Sequence, residues 1–323
     1  MEYRSLGKTG LRVSRLCFGT LTLSPLQAAL PPEEGAELLS EAYSWGINFW
    51  DTAELYANYD TLRLAIKKIG QLPVLTTKTY AYNREDARSS LEKARRELDL
   101  DIIPIFLLHE QESALTLQGH KEALDFFCEA KARGIIRAVG FSCHTVAAAS
   151  AATQFEEIDV IHPIVNYKGI GIKDGTVDEM LEAIGRAAAA GIGVYGMKPL
   201  GGGHLLADVE KAIHFVKGIE QLDSFAIGIA GLEELEADLH YFRGTKPPPA
   251  IAEKLAGKKR RLQIEDWCVG CGSCLQSCPQ GALSLEETAG EIAGQFRAAV
   301  DASRCILCGY CGASCPEFCL KIF

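Results

Sequence analysis

Long apolar runs are missing from this 323-residue chain. No segment approaches the roughly 20 consecutive apolar residues of a membrane-spanning helix, and the opening MEYRSLGKTG lacks the apolar core of a signal peptide. These absences argue against a membrane partner and lead us to expect a cytoplasmic protein. Positive charge is also scarce, with 33 Lys and Arg against 42 Asp and Glu. A formal charge of -9 repels phosphate backbones, and no stretch interleaves bases with aromatics, so nucleic acid is excluded as a partner. Cysteine is almost absent from the first 267 residues, which hold only Cys17, Cys128 and Cys143. The other nine of the 12 crowd into residues 268–319, and that shift marks a domain boundary. Without a secretion signal, dense thiols imply metal ligation rather than disulfides. What is present in quantity is ordinary: 48% hydrophobic and 23% charged residues exclude a disordered chain and allow one large α/β domain with an appendage.

Up to about residue 242, short apolar runs alternate with amphipathic stretches. Strands are expected at 16–18, 47–50, 74–77, 103–108, 138–141, 160–165, 193–197 and 225–229. Each precedes a helical pattern, at 32–45, 59–69, 85–98, 120–133, 145–154, 176–190, 208–218 and 232–242. Strand then helix, eight times over, implies parallel pairing with right-handed crossovers and a closed (β/α)8 TIM barrel, with residues 1–14 as a hairpin in front. The domains expected are a barrel at 1–246, a linker at 247–266 stiffened by Pro247, Pro248 and Pro249, and a small α+β ferredoxin-like domain at 267–323. A short helix is expected at 250–257. The basic run Lys258, Lys259, Arg260, Arg261 is read as a solvated linker face in preference to a docking patch for an acidic carrier.

From Cys268 the chain reads CVGCGSCLQSCP, and 37 residues later, from Cys305, CILCGYCGASCP. Each copy is C-x2-C-x2-C-x3-C-P, in which three close thiolates cap one face of a [4Fe–4S] cubane and the fourth crosses to the other cluster. Zinc would need only four ligands per site and offers no reason for the third CxxC step or the trailing Cys-Pro. Gly272, Gly309 and Gly312 are expected to let backbone N–H groups approach the cluster sulfurs. Cys319 stands where the first copy has Ala282, which favours a small buried residue over a ninth ligand. The insert 286–302 between the copies is expected to shield a cluster or pack on the barrel.

Reactive side chains of such barrels sit at the carboxyl ends of the strands. Asp51 and Tyr56 follow the second strand, Lys78 ends the third and His109 ends the fourth. Each has a bland reading alone, as a cap, a loop aromatic, a solvated lysine and a core histidine. Together their chemistry is coherent: hydride reduction of a carbonyl needs a proton donor, Tyr56, its pKa lowered by the Lys78 ammonium. Asp51 would hold Lys78, and His109 would orient the carbonyl oxygen.

Residues 267–323 resemble the bacterial two-cluster ferredoxins. The resemblance implies one cluster on Cys268, Cys271, Cys274 and Cys315 and another on Cys305, Cys308, Cys311 and Cys278. INFWDTAELY, LTTK and FLLH resemble the aldo-keto reductase signatures, over residues 1–242. That resemblance implies Asp51, Tyr56, Lys78 and His109 as a catalytic tetrad and a nicotinamide cofactor, NAD(P)H, across the barrel mouth. The cofactor contacts it implies are Ser142, Cys143, Asn166, Met197, Lys198, Pro199, Leu200, Gly228, Gly231 and Asp238. The chain departs from the family pattern in reading Ser142-Cys143 for Ser-Asn, His162 for a glutamine and Met197 for a ring-stacking aromatic. Cys143 is taken as packing rather than as a reactive thiol. Ala230 stands where NADP-preferring members often carry a base, and Glu233, Glu234 and Glu236 surround it, so NADH is expected over NADPH.

A barrel for two-electron chemistry fused to one-electron clusters implies an oxidoreductase acting on a small carbonyl or alcohol and exchanging electrons with a ferredoxin or flavoprotein carrier. The alternatives are a non-catalytic electron-transfer subunit and a barrel that binds flavin, which splits electron pairs readily. PLGGG at 199–203 and the stretch 228–231 are read as turns on a nicotinamide pyrophosphate, or else as a cradle for a flavin phosphate.

Overall fold

The computed structural model of the chain describes residues 1–288 and 295–323. A hairpin, β1 (Tyr3–Ser5) against β2 (Arg12–Ser14), opens it. Eight strands follow: β3 (Leu16–Gly19), β4 (Phe49–Asp51), β5 (Val74–Thr79), β6 (Ile103–Leu108), β7 (Ile136–Cys143), β8 (Val160–Pro163), β9 (Gly193–Met197) and β10 (Ser224–Gly228). They close in chain order into a parallel barrel, β10 pairing back onto β3 with Ile227 opposite Phe18. The (β/α)8 TIM barrel expected from the alternating pattern is therefore the fold. All six residues of β6, IPIFLL, are buried, as a parallel strand demands when helices cover one face and the barrel interior the other.

Two apolar layers result. Cys17, Phe49, Ile105, Val160 and Tyr195 fill the interior, where Leu6, Leu11 and Val13 from the opening hairpin join them and stopper the amino-terminal end. The larger layer lies between strands and helices. Helix starts are set by side chains: Asn83 accepts from the Asp86 amide at the head of Arg84–Leu98, and Thr176 forms a capping box with Glu179 ahead of Val177–Ala189. Two helical patterns depart from expectation. A separate helix, Ala114–Gly119, precedes Lys121–Ala132, and the stretch read as 145–154 divides into Val146–Ala151 and a 3₁₀ turn, Ala152–Gln154.

Beyond the barrel, helix Pro249–Ala256 packs against Leu232–Phe242. Then β11 (Leu262–Ile264) pairs antiparallel with β14 (Leu320–Ile322), and β12 (Leu283–Glu287) with β13 (Phe296–Val300). Of the insert read at 286–302, residues 289–294 lie outside the described residues. Its other part, β13, packs on the first cysteine run, because a Cβ on Gly270 would meet the Phe296 carbonyl oxygen at 2.2 Å.

The small domain is docked on the barrel mouth. Gly203, at φ +90, lets the chain pass so close under β14 that a Cβ there would sit 1.8 Å from the Ile322 carbonyl oxygen. His204 donates from Nε2 to the Leu320 carbonyl at 2.8 Å, and its ring occupies the space a Cβ on Gly312 would need. Gly312 thus makes room for a barrel side chain rather than for an amide approaching a cluster. Phe318 joins the barrel's main apolar layer.

Candidate active site and cluster cages

The strands deliver four ionisable side chains to one place. Asp51 ends β4, Lys78 lies one residue from the end of β5, His109 follows β6, and Tyr56 closes the 3₁₀ turn Glu54–Tyr56. Lys78 Nζ donates to Asp51 Oδ2 at 2.8 Å and to the Thr52 carbonyl at 2.7 Å, both side chains being almost fully buried. Tyr195 donates its hydroxyl proton to Asp51 Oδ1 at 2.8 Å. Burial alone would push the Asp51 carboxyl up, but Lys78, His162 and these hydrogen bonds bring it below its ordinary value.

The Tyr56 phenol differs from expectation. Lys78 Nζ stands 5.1 Å from the centre of the Tyr56 ring, and burial, then the carboxylates of Asp51 and Glu110, hold the phenol well above its usual range. The lysine is bound to Asp51 and Thr52 instead of acidifying the hydroxyl, so Tyr56 keeps its proton firmly. His109 is neutral: burial, followed by the Lys78 charge, pushes it down to about 3. Tyr80 stacks on its imidazole at 4.5 Å, and the buried His109 Nδ1 has no hydrogen-bond partner among the described residues.

These groups open onto a cavity of about 390 Å³, within the roughly 300–1,000 Å³ of small-molecule sites. Ser142, Met197, Lys198, Pro199, Leu200 and Gly228 line it, as does Asp238. Three other expected contacts do not. Cys143 is buried in the apolar layer, and burial raises its thiol. Asn166 is turned into its own loop, donating to Ile170 O at 2.9 Å and accepting from the Lys168 and Ile170 amides. Gly231 is the residue from which helix Leu232–Phe242 starts. The glycine turn is likewise no phosphate cradle: the amides of Gly201, Gly203 and His204 are spent on Lys198 O, Leu200 O and Gly201 O, and its missing side chains admit β14. Nor are Glu233 and Glu234 free repelling charges, since Lys254 and Lys258 pair with them at 2.9 and 2.5 Å.

In the small domain Cys268, Cys271, Cys274 and Cys315 face one cage, and Cys278, Cys305, Cys308 and Cys311 face another. Each cage takes its fourth thiol from the distant repeat. Three thiols from one C-x2-C-x2-C run and a fourth from the distant repeat suit a polynuclear cluster better than zinc. Amides of Ala298, Ala282 and Cys319 approach the sulfurs of Cys268, Cys278 and Cys315 at 3.3–3.5 Å. The thiol sets fit two [4Fe–4S] clusters. Cys319 also lines the first cage, its Sγ 3.3 Å from that of Cys315.

The profile of the aldo/keto reductase family matches residues 15–241. The chain belongs to that family. It is an oxidoreductase of the aldo-keto reductase type, and a 4Fe-4S dicluster domain profile matches residues 267–319. An L-galactose dehydrogenase from Arabidopsis thaliana is 25% identical over 64% of this chain and 67% of its own. A 6-dehydroglucose reductase from Novosphingobium aromaticivorans is 23% identical over 82% and 93%. The holo form of an aldo-keto reductase from Bacillus halodurans superimposes with a TM-score of 0.61 at 18% identity, covering 79% of this chain and 96% of that one. Among the described residues no helix is long and apolar enough to cross a membrane.

Several residues of the reductase site escaped the sequence reading. Tyr195, the second partner of Asp51, looks like any strand residue until the barrel turns it inward. Tyr80 and Glu110 follow β5 and β6 by one and two residues, and there the signal was available: both lie at strand ends, and Tyr80 donates to Glu110 at 2.7 Å. Lys198 and Lys321 line the cavity, and among the described residues neither has a carboxylate within 4 Å. Burial pushes Lys198 down to about 8, and its Nζ meets His144 Nε2 at 2.9 Å. Lys321 belongs to β14, outside the barrel, which no motif of the barrel could announce.

Proposed function

We propose that this chain is an iron–sulfur aldo-keto reductase that interconverts a small carbonyl and its alcohol at Tyr56, using a nicotinamide cofactor in the barrel cavity and exchanging electrons through the two cysteine cages. The observation that carries this reading is the position of β14. Ile322 lines both the cavity of Asp51, Tyr56, Lys78 and His109 and the cage of Cys278, Cys305, Cys308 and Cys311, while Leu320 lines the other cage. A non-catalytic subunit would have no need of one wall shared by a proton-donating site and a redox cage. The names of the two curated relatives are those of sugar oxidoreductases, in keeping with a small carbonyl or alcohol substrate.

Bound in the cavity, a nicotinamide would supply or take the hydride, and its electron pair would reach the one-electron clusters only by way of a flavoprotein carrier that tolerates single electrons. The chain's own residues do the rest. Tyr56, protonated through the physiological range, gives its proton to the carbonyl oxygen as charge gathers there. Lys78, held by Asp51 and the Thr52 carbonyl, stands 5.1 Å from the centre of the Tyr56 ring and fixes the wall on which that ring rests. Neutral His109 offers an N–H to the same oxygen and orients it. In the direction of alcohol oxidation each step runs backwards, and a ferredoxin or flavoprotein carrier would meet the small domain. Tyr56→Phe removes the donor and little volume. Aldehyde reduction should fall about 10²- to 10⁴-fold while the dinucleotide Kd, read by fluorescence quenching, stays within about twofold. Undiminished reduction by the variant would overturn the proposal.

A further inference from the structure

The two cysteine cages are copies of one turn, and much of what surrounds them is matched. Position by position the ligands share their exposure: Cys268 and Cys305 are half-buried, Cys271 and Cys308 exposed, Cys274 and Cys311 buried, Cys278 and Cys315 half-buried. The last cysteine of each run also receives the same backbone bond from four residues on, the Ala282 amide donating to Cys278 Sγ at 3.3 Å and the Cys319 amide to Cys315 Sγ at 3.4 Å. Beyond that the copies part. Where the second has Tyr310 the first has Ser273, whose Oγ lies 3.5 Å from Cys271 Sγ. The Ala298 amide, on β13, donates to Cys268 Sγ at 3.5 Å. Cys319, standing where the first copy has Ala282, brings a buried Sγ to 3.3 Å from Cys315 Sγ. A thiolate that binds iron carries no proton, so Ser273 and Cys319 are the donors in their pairs. Among the described residues the sulfurs of the first cage, Cys268, Cys271, Cys274 and Cys315, thus accept four hydrogen bonds and those of the second accept one.

Hydrogen bonds to the sulfurs spread the charge that an added electron brings, and so raise a cluster's reduction potential. Cluster type and ligand exposure, two other determinants, are matched between the cages. We propose that the cluster held by Cys268, Cys271, Cys274 and Cys315 has the higher potential of the two, with the Cys319 thiol as the donor that sets it apart. The inference rests on the two-cluster reading of the cages. It gives the domain an order of filling: a single electron brought by a flavoprotein carrier comes to rest on the first cluster, and the second is reduced only afterwards. The second cage shares Ile322 with the reductase cavity, whereas among the described residues the first has no lining residue in common with it, so the electron rests apart from the carbonyl site.

The test is an anaerobic potentiometric titration of the full, cluster-loaded chain, followed by the electron paramagnetic resonance of the reduced clusters. Two one-electron waves are expected, the first cluster holding its electron at least about tenfold more tightly, ~59 mV, since a hydrogen bond to a charged acceptor is worth that much. Cys278→Ala, which empties the second cage, should keep the higher wave and lose the lower. Cys319→Ala should weaken electron binding in the higher wave at least about threefold and leave the lower unmoved, and Cys319→Ser, which keeps a donor, should restore most of the loss. Ala282→Cys places the same thiol beside Cys278 and should raise the lower wave, a shift that a purely structural role for Cys319 would not produce. A single wave for both clusters, loss of the higher wave in Cys278→Ala, or waves unmoved in either Cys319→Ala or Ala282→Cys overturns the proposal. Iron and sulfide well below about eight per chain overturn the two-cluster reading, and this order with it.

Discussion

At the scale of single residues, burial determines protonation throughout the site. His109 and His162 are both neutral inside the barrel, pushed down to about 3 and about 4 chiefly by burial, against an ordinary value near 6.5. A base whose folded pKa is depressed takes up a proton on unfolding, so its stabilisation is complete above about 6.5 and disappears as pH falls through the folded value. Thermal or urea unfolding should therefore show stability declining from pH 6.5 to 4, with each histidine contributing on the order of 1–3 kcal/mol. His162→Gln should flatten that slope. A variant with the wild-type slope would show that His162 is not held neutral. The tetrad itself was legible, because strand ends are where a barrel exposes chemistry. The state of Tyr56 was not: burial, then the carboxylates of Asp51 and Glu110, raise its pKa, and only the folded chain encloses the phenol and brings those acids near it. Cys319 was legible as a small buried residue, and its nearness to Cys315 was not.

At the scale of elements, periodicity located every barrel strand to within a few residues, since a buried parallel strand is a short apolar run whatever surrounds it. The glycine turn after β9 shows the limit of such reading. Three glycines after a barrel strand look like an anion cradle, yet what a missing Cβ makes room for depends on the neighbour, and here the neighbour is β14. Gly203→Val adds a branched side chain at φ +90 against the Ile322 carbonyl. We expect the variant to lose about 2–4 kcal/mol of stability, with amide exchange at Leu320–Ile322 rising well before exchange in the barrel strands. Exchange unchanged at β14 would mean that the turn does not hold the small domain.

At the scale of the whole molecule, both domains were legible separately and their apposition was not. The contacts that join them include those of His204, Phe318 and Ile322 and the Lys173–Glu317 ion pair, and these residues carry no motif. The cages make a stoichiometric claim: anaerobic protein should contain close to eight iron and eight sulfide per chain. Cys278→Ala should reduce both by about half, by emptying the cage otherwise built from Cys305, Cys308 and Cys311. Stoichiometric zinc, or a variant that keeps its full iron, would refute the assignment.

The alternation of β14 reaches further than its length suggests. Leu320 and Ile322 each line a cage, while Lys321 and Ile322 line the cavity, so three consecutive residues serve three chambers that the family profiles divide between two domains. Inserting or deleting one residue there would turn an ammonium towards a cage and an apolar side chain towards the substrate. The ferredoxin part is consequently not an interchangeable cassette. Grafting another such domain after the barrel would supply clusters and still leave the reductase without its roof, and an ancestor that first acquired this appendage would have had to tune one three-residue strand before either half could use the other.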